Sequence, residues 1–403
     1  MDSAEDRYVK FVKQLFEKHR SVQTAGFRGD SYKPGLDGIR DLDISLGRPS
    51  GKFRSIHVAG TNGKGSVCSM IASNLAAAGF RVGLYTSPHL LDFRERARIL
   101  TASGFELIPQ EKVLSFADRL GSVPEHLSFF EISTALAFDW FASEKVDYAV
   151  IEVGLGGRLD STNIITPELS VITSIGLDHC ELLGDTRAAI AREKAGIFKK
   201  GVPALVWGHD PETDSVFEEE AHRLGATLHY ASGEFSTLLE GPSQPWNIRT
   251  VRNALELLGI PFNEEATREM ARRTGLRGRW ERHGNFILDI AHNAAGLKAN
   301  MERLSGEDGL NIVYGVMADK NLELIAPLFP PQARMMLVAP GTPRALPVDE
   351  LLRRLQLLRG DLDLRAFPSV GAALEEADGT GTLTYVGGST FVVAEALEFF
   401  QNN

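Results

Sequence analysis

The stretch Ile56-His57-Val58-Ala59-Gly60-Thr61-Asn62-Gly63-Lys64-Gly65-Ser66 decides the fold of this chain. Ile56 to Ala59 reads as a strand and Gly60 to Gly63 as a glycine-bounded turn. Val67, Met70, Ile71, Leu75 and Ala78 then recur at helical spacing up to Gly79. Strand, glycine turn, lysine, hydroxyl and helix together make a phosphate cradle. Backbone N–H groups and the helix N-terminus face an anion, Lys64 supplies a point charge, and Ser66 reaches a metal or a phosphate oxygen. The pattern is not a strict Walker A. Val58 stands where that motif has its first glycine, and Gly65 stands where a Ser or Thr follows the lysine. A ligand-free turn would leave the lysine and the helix N-terminus idle together.

Outward from this turn, strands and helices alternate. The pattern predicts helices over 5–20, 37–46, 110–119, 129–144, 186–198 and 214–224, and strands over 81–85, 147–153, 169–175 and 202–207. Tyr148-Ala149-Val150-Ile151 is apolar throughout, as expected of a strand covered on both sheet faces. This is the signature of a doubly wound α/β domain with a mostly parallel sheet. A helix is expected over 246–258, and the polar run Arg272-Arg273-Thr274-Gly275-Leu276-Arg277-Gly278-Arg279 reads as a linker. Strands at 285–290, 311–316, 335–338 and 383–386, with helices at 349–358, 370–377 and 389–399, predict a second, smaller Rossmann-like α/β domain. The expected division is 1–273 for the P-loop domain with its N-terminal helices and 274–403 for the C-terminal domain.

Composition narrows the function. The 403 residues carry a net charge of −10, which argues against broad nucleic-acid or anionic-membrane binding. Cys68 and Cys180 form neither a disulfide framework nor a metal-ligand spacing. The first residues lack the apolar core of a signal peptide, and no run of about 18 apolar residues occurs. The expected location is cytoplasmic.

One residue at a strand end suggests metal chemistry. Glu152 closes an apolar strand and is followed by Gly154, Gly156 and Gly157. Ligand sites of parallel sheets lie at strand C-terminal ends, and a carboxylate there suits Mg²⁺ shared with substrate phosphates. His179 lies just past the strand Leu169–Ile175, at the same sheet edge by the same reasoning. Lys194 reads as a helical lysine flanked by Glu193, Ala195 and Gly196, which permit close packing. In the second domain Asp289, His292 and Asn293 follow the strand Phe286-Ile287-Leu288, with Asn293 suited to cap a helix. Tyr385-Val386-Gly387-Gly388-Ser389 is a further strand–glycine–helix turn, either an anion contact or a tight turn.

The loop Gly60-Thr61-Asn62-Gly63-Lys64-Gly65-Ser66 resembles the variant P-loop of the Mur ligase superfamily. Within it the chain resembles the folylpolyglutamate synthase branch, which includes bifunctional dihydrofolate synthases. The matching segments run in order. They are Tyr32-Lys33-Pro34-Gly35-Leu36-Asp37-Gly38-Ile39, the P-loop, Leu84-Tyr85-Thr86-Ser87-Pro88-His89-Leu90, Arg94-Glu95-Arg96, Ser128-Phe129-Phe130-Glu131 and Glu152 through Asp160. Ser174-Ile175-Gly176-Leu177-Asp178-His179, Arg192 through Phe198, and Asp289-Ile290-Ala291-His292-Asn293 complete the series.

The resemblance implies roles that the spacing alone does not. A first magnesium would be held by residues matching Ser87, Glu152 and His179. Lys194 would be carbamylated by CO₂ and support a second Mg²⁺. Asp289 would contact the ATP ribose, His292 would lie near the transferred phosphate or the incoming amino acid, and Arg279 would reach the nucleotide phosphates. Asn247 matches the nucleotide-contacting asparagine, although Ile248-Arg249-Thr250 replaces the usual small residues after it, which leaves Asn253 as a rival. The implied reaction is ATP-dependent amide ligation through an acyl phosphate, with L-glutamate as the amine and dihydropteroate or a folate glutamate tail as the acid. The resemblance also implies a monomer. Lys64, Lys194 and His292 are the expected catalytic set. Two other functions would use the same loop. A Mur-type ligase acting on a UDP-sugar peptide would need an N-terminal domain, and only about 54 residues precede the P-loop strand. A P-loop ATPase would release ADP without needing both an acid and an amine.

Overall fold

The computed structural model describes residues 3–19, 35–121, 124 and 126–402. Tyr32, Lys33 and Pro34 of the first matching segment lie outside them. The chain forms two compact units, one drawn from residues up to 239 and 244–276, the other from 240–243 and 277 onward.

The first unit is built on a sheet of eight strands. They are β1 (Arg54–Ala59), β2 (Val82–Tyr85), β3 (Ala97–Thr101), β4 (Gly104–Leu107), β5 (Tyr148–Glu152), β6 (Leu169–Ile172), β7 (Ala204–Val206) and β8 (Leu228–Tyr230). Their order is β4-β3-β2-β5-β1-β6-β7-β8, parallel except for the β2–β3 and β3–β4 pairs. The P-loop strand β1 is therefore central, flanked by β5 and β6. It is buried from Ser55 to Ala59 because helices cover both faces. On one face Ile56, Val58 and Val150 pack against Val67, Met70, Ile71 and Leu75 of the helix Lys64–Ala77. On the other, Ala149, Ile151 and Tyr85 meet the helix Phe129–Ser143. Ala59, Ile172, Ala204 and Val206 pack against the helices Arg187–Ala195 and Asp214–Leu224. The helix Lys64–Ala77 is buried all round because Gln244–Leu257 and two short helices, Glu264–Arg268 and Met270–Thr274, cover its back.

The second unit holds β9 (Glu281–His283), β10 (Phe286–Asp289), β11 (Asn311–Tyr314), β12 (Arg334–Leu337), β13 (Asp363–Ala366) and β14 (Thr384–Gly387). Their order is β13-β12-β11-β14-β10-β9, parallel except for the β9–β10 pair.

Several elements differ from expectation. The β3–β4 hairpin carries the polar Arg98 and lacks a continuous apolar run, so it gave little periodic signal. β6 stops at Ile172 rather than 175, because Thr173 and Ser174 turn their hydroxyls to the P-loop. Arg272 and Arg273, expected in a linker, lie in the helix Met270–Thr274, which ends at Gly275 with φ +70°. Among the described residues, no helix is long and apolar enough to cross a membrane.

β1 also buries an imidazole. His57 Nε2 lies 2.8 Å from the Thr162 hydroxyl, and Nδ1 has no partner. Burial, reinforced by the Lys199 charge, pulls its pKa down to about 3. The unfolded chain therefore takes up a proton below about pH 6.5 that the folded chain refuses until near pH 3. This contribution is intact above pH 6.5 and is lost as the pH falls. Between pH 7 and pH 5 the wild type should lose about 2 kcal/mol more unfolding free energy than a His57→Leu variant. Urea titrations of both proteins at the two pH values would check this, and equal losses would refute it.

Candidate active site

The cradle begins where β1 ends. Gly60 has φ +151°, and a Cβ there would overlap the Thr173 hydroxyl; Gly63 has φ +86°, and a Cβ there would strike the Asn247 side chain. Only glycine fits either place. The turn is clamped to the chain leaving β6. Thr61 N donates to Ser174 O at 2.7 Å, Gly176 N donates to Thr61 Oγ1 at 3.0 Å, and Thr173 Oγ1 donates to Asn62 O at 2.8 Å. The helix that follows has no side-chain N-cap, so its first-turn N–H groups keep the orientation that suits an anion. Ser66 is buried in that first turn.

Two lysines converge on this turn. Lys64 Nζ donates to Thr61 O at 3.3 Å, and Lys194 Nζ donates to Gly60 O at 2.9 Å. Lys194 is 4 % exposed, on the helix Arg187–Ala195. Burial first, then the Lys64 charge, lowers its pKa to about 7, against the opposing pull of Asp178 and Asp160. A substantial fraction of this amine is therefore neutral at physiological pH.

Glu152, buried at the end of β5, faces the same strand ends. Its Oε2 accepts from Ser87 N at 3.0 Å, and its register partner on β1 is Val58. Ser87 arrives two residues after β2, whose Tyr85 pairs with Ile151. Behind Glu152 the glycine-rich loop leans on the lysine-bearing helix, since a Cβ on Gly157 would meet the carbonyls of Glu193 and Lys194 at 2.8 and 2.9 Å. Asp160 fastens that loop, accepting from Leu155 N, Thr162 N and Thr162 Oγ1, and burial raises its pKa. His179 sits in the left-handed region at φ 54° and opens the helix Cys180–Leu183. Asp178 accepts from His179 N, and its carboxylate lies 3.7 Å from His179 Nε2. Among the described residues no three His, Cys, Asp or Glu side chains form a metal cluster. The metal set read from the sequence contributes two such donors, Glu152 and His179; Ser87 N bonds Glu152, and Lys194 Nζ bonds the Gly60 carbonyl. A buried carboxylate and a serine at adjacent strand ends are oxygen donors of the kind Mg²⁺ takes.

The two asparagines separate clearly. Asn247 is buried against Gly63 of the cradle, bonded to Gln244. Asn253 instead bonds the backbone of Ser232 and Arg249.

In the second unit Asp289 ends β10. Its Oδ2 accepts from Trp280 N at 2.9 Å, and its Oδ1 accepts from Ala291 N at 2.9 Å and Asn300 Nδ2 at 2.8 Å. Burial raises its pKa, against these bonds and the Arg279 charge. Arg279 Nη1 donates to the carbonyls of Arg277 and Gly278. His292 Nδ1 lies 3.0 Å from Ile290 O, which makes Nδ1 the protonated nitrogen. Asn293 caps the helix Ala294–Leu304 through Gly296 N, as its position after the strand suggested. Gly387 and Gly388 pack against the carbonyls of Asp289 and Gly315. Close backbone packing accounts for both glycines.

Asp178 and Asp160 stand in the sequence without a pattern that marks them, yet both charges act on Lys194. Thr173, whose hydroxyl holds the loop, is equally unmarked. A hydroxyl pair directly after an apolar strand was the available signal.

Residues 58–240 match the family model of the Mur ligase middle domain. The dihydrofolate synthase/folylpolyglutamate synthase of Bacillus subtilis is 35% identical over 333 residues, covering 72% of this chain and 76% of its own. A solved Escherichia coli structure in complex with DHPP and ADP superposes with a TM-score of 0.82 at 28% identity, covering 100% of this chain and 99% of that one. A bifunctional folylpolyglutamate synthase/dihydrofolate synthase with Mn, AMPPNP and L-glutamate bound superposes at 0.83 and 30% identity, covering 99% of each chain. With a relative of that identity matched over three quarters of its length, the chain belongs to the dihydrofolate synthase/folylpolyglutamate synthase family.

Proposed function

We propose that this protein is an ATP-dependent amide ligase that joins L-glutamate to dihydropteroate, to the glutamate tail of reduced folates, or to both, releasing ADP and phosphate. The observation that carries the reading is the convergence of Lys64 and Lys194 on one glycine turn, beside the Glu152–Ser87 pair. That arrangement suits a polyphosphate and an oxygen-liganded cation. Family membership and relatives solved with ADP, AMPPNP, Mn, DHPP and L-glutamate support the substrates.

A carboxylate is a poor electrophile, so the acid is first phosphorylated by ATP and the resulting acyl phosphate is attacked by the glutamate amine. The residues Gly60, Thr61, Asn62, Gly63, Gly65 and Ser66 hold the phosphates through backbone N–H groups and the helix N-terminus. Lys64 neutralises charge on the transferring phosphoryl group. Ser87, Glu152, His179 and carbamylated Lys194 would hold two Mg²⁺ ions. When bound, these would screen the phosphate charges and polarise the transferring group. Asp178 orients His179, and Asp160 keeps the loop behind Glu152 in place. Asn247 contacts the nucleotide. In the C-terminal domain, residues 274–403, Asp289 takes the ribose, Arg279 the phosphates, and His292 acts at the transferred phosphate or the amino acid. Residues 1–273 form the ATP-binding domain. We assign the protein to the cytoplasm, as a monomer.

Lys194 needs a neutral amine to attack CO₂, and its lowered pKa provides one. Intact-protein mass spectrometry in bicarbonate at pH 8 should show one added CO₂, and Lys194→Arg should abolish it. The modified fraction should fall as the pH drops through about 7. An unmodified wild type at pH 8 would remove Lys194 from the proposed metal set.

The reaction itself is tested by ADP release with ATP, Mg²⁺ and L-glutamate, with dihydropteroate and tetrahydrofolate supplied separately. Turnover requiring both acid and amine is expected, and release without glutamate would favour a plain ATPase. Glu152→Ala and Lys64→Ala should each lower kcat by at least about 100-fold. Near-normal turnover in either would displace that residue from the site.

A further inference from the structure

We propose that Arg187 is a positioning residue for the divalent cation: it fixes the turn that carries His179 relative to the helix that carries Lys194. The proposal rests on reading Ser87, Glu152, His179 and Lys194 as the metal set, and it adds a residue that touches neither cation nor substrate.

The helix Arg187–Ala195 is fastened at both ends to one clamp. Arg187 and Lys194 lie seven residues apart on it, two turns and so on the same face. At the C-terminal end Lys194 Nζ donates to Gly60 O at 2.9 Å. At the N-terminal end Arg187 Nε donates to Ile175 O at 3.3 Å. Gly60 and Ile175 belong to the chains that leave β1 and β6. Those chains are joined directly, by Thr61 N to Ser174 O at 2.7 Å and by Gly176 N to Thr61 Oγ1 at 3.0 Å. The helix thus closes a ring that runs from the P-loop turn through the clamp, Ile175, Arg187 and Lys194 back to the P-loop turn. His179 stands four residues beyond Ile175 on the segment this ring holds.

The guanidinium is itself braced. Nη1 donates to Glu212 Oε2 at 2.8 Å and Nη2 to the Asp210 carboxylate, both on the chain that leaves β7. Asp210 is held in turn, since its N donates to Asp214 Oδ1 at 2.9 Å and its Oδ1 accepts from Glu212 N at 3.1 Å. The side chains of Arg187 and Asp210 are 28% and 12% exposed. Arg192, on the same helix, pairs with Glu219 where the two side chains are 61% and 64% exposed, and a pair so open contributes little. Charge neutralisation alone would need only the two carboxylates. The bond from Nε to a neutral carbonyl is the part of the arrangement that serves the turn. A planar fork directs three nitrogens at two segments together, which a point charge on a flexible stem does not do.

Calorimetric titration of the full chain with Mn²⁺, in the presence of AMPPNP, tests the proposal. Arg187→Met should weaken Mn²⁺ binding about tenfold, the range found when groups that orient metal ligands are removed. Arg192→Met should bind Mn²⁺ as the wild type does. Arg187→Met strands two carboxylates, so a triple variant that adds Asp210→Asn and Glu212→Gln keeps the test valid if the single variant folds poorly. The triple variant should regain the wild-type melting temperature and still bind Mn²⁺ about tenfold more weakly. Wild-type Mn²⁺ affinity in Arg187→Met, or its return in the triple variant, would overturn the proposal and leave Arg187 as a charge partner of Asp210 and Glu212. Equal weakening in Arg192→Met would also overturn it. A wild type that binds AMPPNP but no Mn²⁺ would overturn the metal set itself, and the role of Arg187 with it.

Discussion

Two amines donate to consecutive carbonyls of one turn, and the rest of the first unit is arranged around that fact. Lys64 reaches Thr61 O and Lys194 reaches Gly60 O. Positive charges this close, one of them buried, repel each other and are poorly solvated. The chain tempers this with Asp178 and Asp160, whose charges oppose the loss of the Lys194 proton. The turn therefore carries an electrostatic demand that an anionic ligand fulfils. Its backbone must also be approached closely from two sides, by Thr173 and by Asn247. Side chains at positions 60 and 63 would block both approaches, and this explains the glycines better than loop flexibility does.

The sheet supplies the alignment. With β1 between β5 and β6, the P-loop, Glu152 and the Thr173–Ser174 clamp leave neighbouring strands at the same edge. β2 next to β5 brings Ser87 to Glu152. The Gly157 contact with the carbonyls of Glu193 and Lys194 ties the loop behind Glu152 to the helix that carries the second lysine.

The second unit builds its polar centre differently. Asp289 is not paired with a single cation but shared among two backbone N–H groups and the Asn300 amide, with Arg279 as a charge nearby. Asn300 also donates to the Tyr385 hydroxyl on the adjacent strand β14. A carboxylate so heavily bonded is held in one orientation.

Local pattern alone determined the architecture of both units. Apolar strands, helical spacing and the Gly-Thr-Asn-Gly-Lys-Gly-Ser turn are short-range features, so β1, β5 and the helix Lys64–Ala77 were legible without coordinates. The hairpin β3–β4 was not, because it carries the polar Arg98 and lacks a continuous apolar run. The site divides in the same way. Lys64 and Glu152 announce themselves by what stands beside them in sequence. The placement of Asn247 against Gly63, with Asn253 turned to Ser232 instead, the depressed pKa of Lys194, and the contacts of Asp178 and Thr173 do not. Each of those depends on burial or on contact with a segment distant along the chain, and burial and long-range contact exist only once the tertiary structure has formed.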